Sequence, residues 1–259
     1  MKKGGNLIRA PDMYDRLGRS YRQARRPDPR IEARVNDALG GASTVVNIGA
    51  GTGNYEPGNR RLVAVEPSLT MIAQRAPNAA LVVQAAAECL PFSDKTFDAA
   101  MALHTVHHWR DPHAGLLEMR RVADSAIAFC GSAAIKFWLT SDYFPAIAKL
   151  RRPEVQPEKI ASVLGGTSRI EVIPIPRDCV DGFWEAHWAR PEAYLDARVR
   201  AGTSVFRLIT PSELRSGLRR LSEDLRSGTW DERYGHLRQL EQYDCGLRMV
   251  VARELGASN

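Results

Sequence analysis

Three observations predict an α/β fold built on an open, mostly parallel sheet with helices on both faces and an antiparallel edge strand. Short apolar runs recur at 45–48, 62–65, 81–83, 96–103 and 126–130, with helical or turn-rich chain between them, the alternation that right-handed parallel crossovers require. The first run breaks at once into glycines at alternate positions, Gly49, Gly51 and Gly53. The second ends in an acid, Glu66, followed by Pro67 and Ser68. Ligands of open α/β sheets sit beyond the carboxyl ends of the strands, where these residues fall.

Length and charge set bounds. A chain of 259 residues accommodates one α/β domain with insertions, or at most two small domains, and buries an ample core. Cys89, Cys130, Cys179 and Cys245 form no Cys-x-x-Cys pair, which argues against a disulfide framework or a zinc cluster. No apolar run is long enough to span a bilayer, and residues 1–6 lack the apolar core of a signal peptide, so a cytoplasmic protein is expected. The net charge of +6 has its source in residues 1–34, which hold ten Lys/Arg against four Asp/Glu. Such a run is either a solvated helical arm or a face for an anionic partner.

In chain order, residues 12–40 read as two helices that would cap the ligand end. Tyr14, Leu17 and Tyr21 share one face of the first. Asp28 is placed to N-cap the second, with Pro29 at its first position, Ile31, Val35, Ala38 and Leu39 as its buried stripe, and Gly40-Gly41 as its stop. The domain division expected is a helical cap at 1–41 and a main domain at 42–259, with a lid or insertion at about 131–240. Few residues separate Gly53 from the second strand, and Pro57-Gly58 fall among them, so the crossover helix there must be short or broken. Ser68 can cap a helix through Leu69, Met71, Ile72 and Ala76. The fourth strand runs into His104, His107, His108 and Trp109, and a helix around 115–122 precedes the fifth strand.

The glycine turn lets backbone take positive φ and lets a ligand lie against it without a Cβ in the way. Its Gly-x-Gly-x-Gly spacing differs from the Gly-x-Gly-x-x-Gly of dinucleotide sites. An acid at the tip of the next strand can accept hydrogen bonds from both hydroxyls of a ribose, the alternative being a solvent-facing Glu.

The order GAGTGNYE, VAVEPS, AAAECLPFSDKTFDAAMALHTVHHW and then EMRRV, over about residues 40–130, resembles the class I S-adenosylmethionine-dependent methyltransferases. Within them it is similar to the branch that includes the ubiquinone/menaquinone biosynthesis enzymes and many bacterial small-molecule methyltransferases. The resemblance implies a Rossmann-like fold and S-adenosylmethionine as cofactor. Gly49, Ala50, Gly51 and Gly53 would lie against its methionyl part. Glu66 would hold the ribose, with Pro67, Ser68 and Met71 beside the adenine. Ala87 and Glu88 would flank the adenine edge, Leu103 and His104 would close the pocket under the sulfonium, and Tyr21 would reach in from the cap. Two positions depart from the pattern: Asn47 stands where an Asp is common, and Ala86 where an Asp often contacts adenine.

A sulfonium methyl is already activated, so the protein mainly aligns a nucleophile and excludes water. His107 and His104 are the candidate bases for an O–H or N–H acceptor, His107 being alternatively a structural residue. Three His at this spacing lack a matching carboxylate or Cys, so no metal is expected. Farther on, Trp184 and Trp188 stand four apart with His187 between them. In a helix they would form one stripe, either a pocket wall with Tyr14 opposite or the seam that docks the insertion. A capping box at Thr210–Glu213 opens a long helix ended by Gly228, a further helix is expected near 233–242, and 247–251 reads as the last strand. Expected partners are a small molecule and at most a second copy of the chain, with neither membrane nor metal. An RNA methyltransferase is the alternative function, though no Asp/Asn-Pro-Pro-Tyr/Phe follows the fourth strand to hold a flipped base; a non-catalytic cofactor-binding protein is another.

Overall fold

A computed structural model describes residues 25–150 and 152–253. Tyr14, Tyr21 and the rest of the first cap helix lie outside them. The second cap helix, α1 (Pro29–Leu39), forms as its signals require: Asp28 accepts from the Arg30 N–H, Pro29 opens the helix, and Ile31, Val35, Ala38 and Leu39 are buried. Then come β1 (Thr44–Ile48), β2 (Arg61–Val65), a single turn of helix α2 (Leu69–Ile72), β3 (Leu81–Val83) and β4 (Phe97–Ala102). Helix α3 (Pro112–Val122) leads to β5 (Ala123–Gly131), and α4 (Pro157–Leu164) to β6 (Thr167–Val172). A two-residue strand β7 (Ile175–Pro176), helices α5 (Pro211–Ser227) and α6 (Thr229–Tyr234), and the strands β8 (Gln242–Tyr243) and β9 (Leu247–Arg253) follow, with short helical turns, among them Pro145–Ala148 and Ala197–Ala201, between the larger elements.

The seven-stranded sheet runs β3-β2-β1-β4-β5-β9-β6, and β7 pairs with β8 in a separate ribbon. Pairs from β3 to β5 are parallel, whereas β9 is antiparallel to both β5 and β6. The antiparallel strand β9 lies one place in from the edge, because β6 pairs along its outer side and is the edge strand instead. Side chains alternate between two apolar layers, as the period of a strand demands. Val45, Ala99, Met101, Phe129 and Val251 face α1 and the aromatic residues of 131–240. Val46, Ile48, Ala100, Ala128 and Val250 face α3 and α4.

Three expectations need correction. The helix after Ser68 stops at Ile72, because only Met71 on it is buried and there is little face to pay for a longer one. The helix placed at 233–242 lies earlier, at Thr229–Tyr234, anchored by the fully buried Trp230 and continued only as a tight 3-10 turn. Residues 183–190 are not an α-helix but successive turns, with Ala186 N–H bonding Phe183, Trp188 bonding Glu185 and Arg190 bonding His187. Trp184 and Trp188 consequently do not stack in one stripe. The capping box is present: Thr210 accepts from the Glu213 N–H and the Glu213 carboxylate accepts from the Thr210 N–H.

Candidate active site

The glycine turn is fixed to the strand beside it before any ligand arrives. The Gly49 and Ala50 N–H groups both donate to the Val65 carbonyl, at 2.8 and 3.0 Å. Gly49 has φ 69°, and a Cβ built on it would fall 2.0 Å from Thr105 Oγ1, so the turn is pressed against the chain leaving β4. Gly51, at φ 53°, is different: a Cβ there would meet nothing within 4 Å. One glycine is required by protein contact, the other faces open space.

Glu66 sits at the tip of β2, buried at 6% exposure. Its Oε2 accepts from the Gly51 N–H at 2.8 Å and its Oε1 from the Ser68 N–H at 2.9 Å. Ser68 caps α2 through the Met71 N–H, and Met71 is buried, while Pro67 is exposed. Ala87 is buried, and Glu88 accepts from the Asp111 N–H at 3.0 Å, which ties this loop to the start of α3. Leu103 packs partly buried against the layer that also holds the insertion. The structure thus gathers Gly49, Ala50, Gly51, Gly53, Glu66, Ser68, Leu103 and His104 at the carboxyl ends of β1, β2 and β4.

His104 takes the left-handed conformation, φ 55°, which few residues other than Gly adopt. Its ring stacks on Phe183 of the insertion (5.0 Å, 28°) and meets Phe129 of β5 edge-on (5.4 Å, 84°). Its Nε2 is buried and has no hydrogen-bond partner among the described residues. Burial, and after it the positive charge of Arg25, pushes the imidazole pKa down to about 3, so His104 is neutral at physiological pH. His107 is exposed on the 3-10 turn Val106–His108 with its ring 3.9 Å from that of His108. Arg152 donates to the carbonyls of His107 and Trp109.

Sequence reasoning missed the polar hub that joins the turn to its surroundings. Tyr55, a left-handed residue at φ 60° and buried at 1%, donates its hydroxyl to Asp181 Oδ2 at 2.9 Å and accepts from the Asp28 N–H at 3.3 Å. Arg25 pairs with Asp181 at 2.7 Å, and the Val180 N–H donates to Asp28. Burial first, then the Asp181 charge, pushes the Tyr55 phenol up, which keeps it a donor. The signal available was a tyrosine two places after the last of these glycines, where a crossover helix normally starts; of its partners, Asp181 is 126 residues away and Asp28 is 27.

The insertion's aromatic residues divide. Trp188 is fully buried and its indole N–H donates to the Ile175 carbonyl at 2.9 Å, so it forms the seam. Trp184 is half-buried against Phe206 (5.0 Å) and Phe137 (6.0 Å). His187 lies edge-on to Tyr194; burial, then Arg190, lowers its pKa to about 4. Trp188→Phe should lower stability in urea by about 1–3 kcal/mol, through the carbonyl left without its donor, and leave the KM for the methyl donor unchanged. Among the described residues no group of three or more His, Cys, Asp or Glu could hold a metal ion, and no helix is long and apolar enough to cross a membrane.

Residues 46–126, the stretch that builds this turn and both acids beside it, match the sequence profile of the methyltransferase domain family. A structure of a protein assigned as a methyltransferase of an antibiotic biosynthesis pathway in Anabaena variabilis is 29% identical, with TM-score 0.81, covering 89% of this chain and 99% of that one. The chain is an S-adenosylmethionine-dependent methyltransferase, similar in fold to class I. More distant structures share the fold of this methyltransferase. An S-adenosylmethionine-dependent methyltransferase from Thermotoga maritima is 14% identical, with TM-score 0.55 over 95% of this chain and 100% of that one. The YcgJ protein from Bacillus is 16% identical, with TM-score 0.53 over 87% and 98%. No curated protein matches the sequence. S-adenosylmethionine is the methyl donor of this enzyme, and the open face of Gly51 beside the buried Glu66 carboxylate suits a nucleoside laid across the strand ends.

Proposed function

We propose that this methyltransferase methylates an O–H or N–H group of a small molecule, and that the acceptor is received between His104 and the insertion at 131–240. The observation that carries the reading is the neutral His104 imidazole: it stacks on Phe183 of the insertion, and its buried Nε2 has no partner of its own. A neutral imidazole nitrogen accepts a hydrogen bond, so His104 can take one from the acceptor's O–H or N–H and thereby turn a lone pair toward the methyl. The donor supplies an activated methyl when bound. The chain's own residues position and enclose. Glu66 holds the ribose, Gly49 and Gly51 give passage to the methionyl chain, and Ala87 and Glu88 border the adenine. His104 is preferred to His107 because the rings of Phe129 and Phe183 fix its orientation, whereas His107 stands on an exposed turn. Trp184 and His187 line the acceptor side.

Two measurements test this. Calorimetry with S-adenosylhomocysteine should show binding to the parent and a dissociation constant raised by roughly tenfold to a hundredfold for Glu66→Ala, the loss expected of hydrogen bonds to a charged group. Mass spectrometry of reactions with phenols, alcohols, amines and imidazoles should find a 14 Da gain in at least one class. Binding without any such gain, or a gain only on RNA, would overturn the acceptor assignment; equal affinity in Glu66→Ala would overturn the ribose assignment.

A further inference from the structure

We infer that Arg75 is a positioning residue for the donor seat: through Glu56 and the Gly51 carbonyl it takes the place of the crossover helix that this chain lacks between β1 and β2. The inference rests on the reading of the glycine turn as that seat.

Parallel strands are normally joined by a crossover of a dozen or more residues, usually an α-helix. Here residues 49–60 make the connection, and none of them is helical. The stretch holds three glycines and Tyr55 at positive φ. Glycine-rich chain loses more backbone freedom on folding than any other, so a turn of this composition needs an external hold to keep one shape.

Arg75, from the chain between α2 and β3, supplies that hold. Its Nη2 donates to both Glu56 oxygens, at 2.9 and 2.7 Å, and its Nη1 to the Gly51 carbonyl at 3.3 Å. Nη2 also reaches the Ala80 carbonyl at 3.3 Å, just ahead of β3. The Arg75 and Glu56 side chains are 4% and 9% exposed. Glu56 in turn accepts from Asn47 Nδ2 at 3.1 Å, so the fork joins the end of β1, the turn and the approach to β3.

The consequence falls on one residue. Gly51 is gripped by its N–H, which donates to Glu66, and by its C=O, which accepts from Arg75. Its Cα is left facing open space. Releasing the carbonyl frees the residue to turn about its φ and ψ, and the N–H that orients Glu66 loses its fixed direction. The guanidinium is needed for its shape as well as its charge: a planar fork meets the carboxylate and the carbonyl together, whereas a lysine ammonium is a point charge on a flexible stem. Asn47, which departs from the family pattern, is thus accounted for as the amide that steadies Glu56.

Calorimetric titration with S-adenosylhomocysteine, together with steady-state kinetics, tests the inference on the parent, Arg75→Gln and Arg75→Lys. Both variants are expected to bind more weakly, by roughly tenfold to a hundredfold for Arg75→Gln and less for Arg75→Lys. The KM for the donor should rise in step, with kcat at saturating donor little changed. Should Arg75→Gln fail to fold, Arg75→Lys and Glu56→Gln carry the test. Variants that lose thermal stability and active fraction but titrate with the parent's dissociation constant would overturn the inference, leaving Arg75 a purely structural residue. A parent that does not bind at all would overturn the seat itself, a separate result from equal binding by parent and variants.

Discussion

Gly49→Ala is expected to cost this methyltransferase most of its affinity for S-adenosylhomocysteine. Two penalties meet at the position. A side chain in the left-handed region costs about 1–2 kcal/mol, and forcing a methyl into filled space costs about 1–3 kcal/mol more. The neighbour is Thr105, whose Oγ1, Cβ and Cγ2 would stand 2.0, 2.9 and 3.0 Å from the new carbon. Thr105 is itself buried, so the turn rather than the threonine must move. At 1.4 kcal/mol per decade, the combined penalty corresponds to a loss between about thirtyfold and several-thousandfold. Gly51→Ala is the informative companion: its Cβ meets no protein atom, so it should melt closer to the parent than Gly49→Ala yet still bind poorly, because the methyl points into the space assigned to the ligand. Parent-like titrations for both variants would remove the glycine turn from the site.

His104→Ala is expected to lower turnover by about a hundredfold or more with the S-adenosylhomocysteine dissociation constant unchanged. The pH dependence gives a second readout with a definite sign. Burial lowers the folded-state pKa of His104 to about 3, below the ordinary imidazole value of 6.5. The folded enzyme therefore keeps the neutral ring through the range in which an exposed histidine titrates. The kcat/KM profile should lack an ionisation of His104 near 6.5, and the acceptor nitrogen should persist well below that pH. Stability moves the other way. Above 6.5 neither state protonates the ring and its burial costs nothing; as pH falls from there toward 3, the unfolded chain takes up a proton that the folded chain refuses, so this contribution to stability is progressively lost. His104→Ala should flatten that part of the stability profile, measured as urea midpoints across the range. A clean ionisation near 6.5 that vanishes in His104→Ala would contradict the buried, neutral ring.

The parts of this architecture that were legible in the sequence are those set by local rules. Alternation placed β1, β2 and β3 within a residue of their ends, and Asp28-Pro29 and Thr210-Glu213 marked helix starts because capping is decided by a few adjacent residues. The absence of a full crossover helix could be read from the spacing between Gly53 and Leu62. What takes that helix's place could not, since Glu56 and Arg75 lie nineteen positions apart and meet only once β2 is in the sheet. The same holds for Arg25, Tyr55 and Asp181, whose contacts span more than a hundred residues. The tryptophans misled for a related reason: four-residue spacing implies a shared face only if the segment is helical, and the turns at 183–190 send Trp188 inward to the Ile175 carbonyl while Trp184 stays at the margin.

One layer of apolar packing unites Ile31 and Val35 of α1, Val45 of β1, and Trp138, Phe183 and Trp188 of the segment after β5. In many modular enzymes a recognition element can be exchanged while the catalytic chassis stays intact. Here the segment proposed to receive the acceptor is also the hydrophobic cover of one face of the sheet. Grafting a foreign 131–240 to redirect the enzyme toward another acceptor would have to rebuild that cover residue for residue, so new selectivity in this lineage must be won by substitutions at the margin, around Trp184 and His187, and not by exchange of the whole piece.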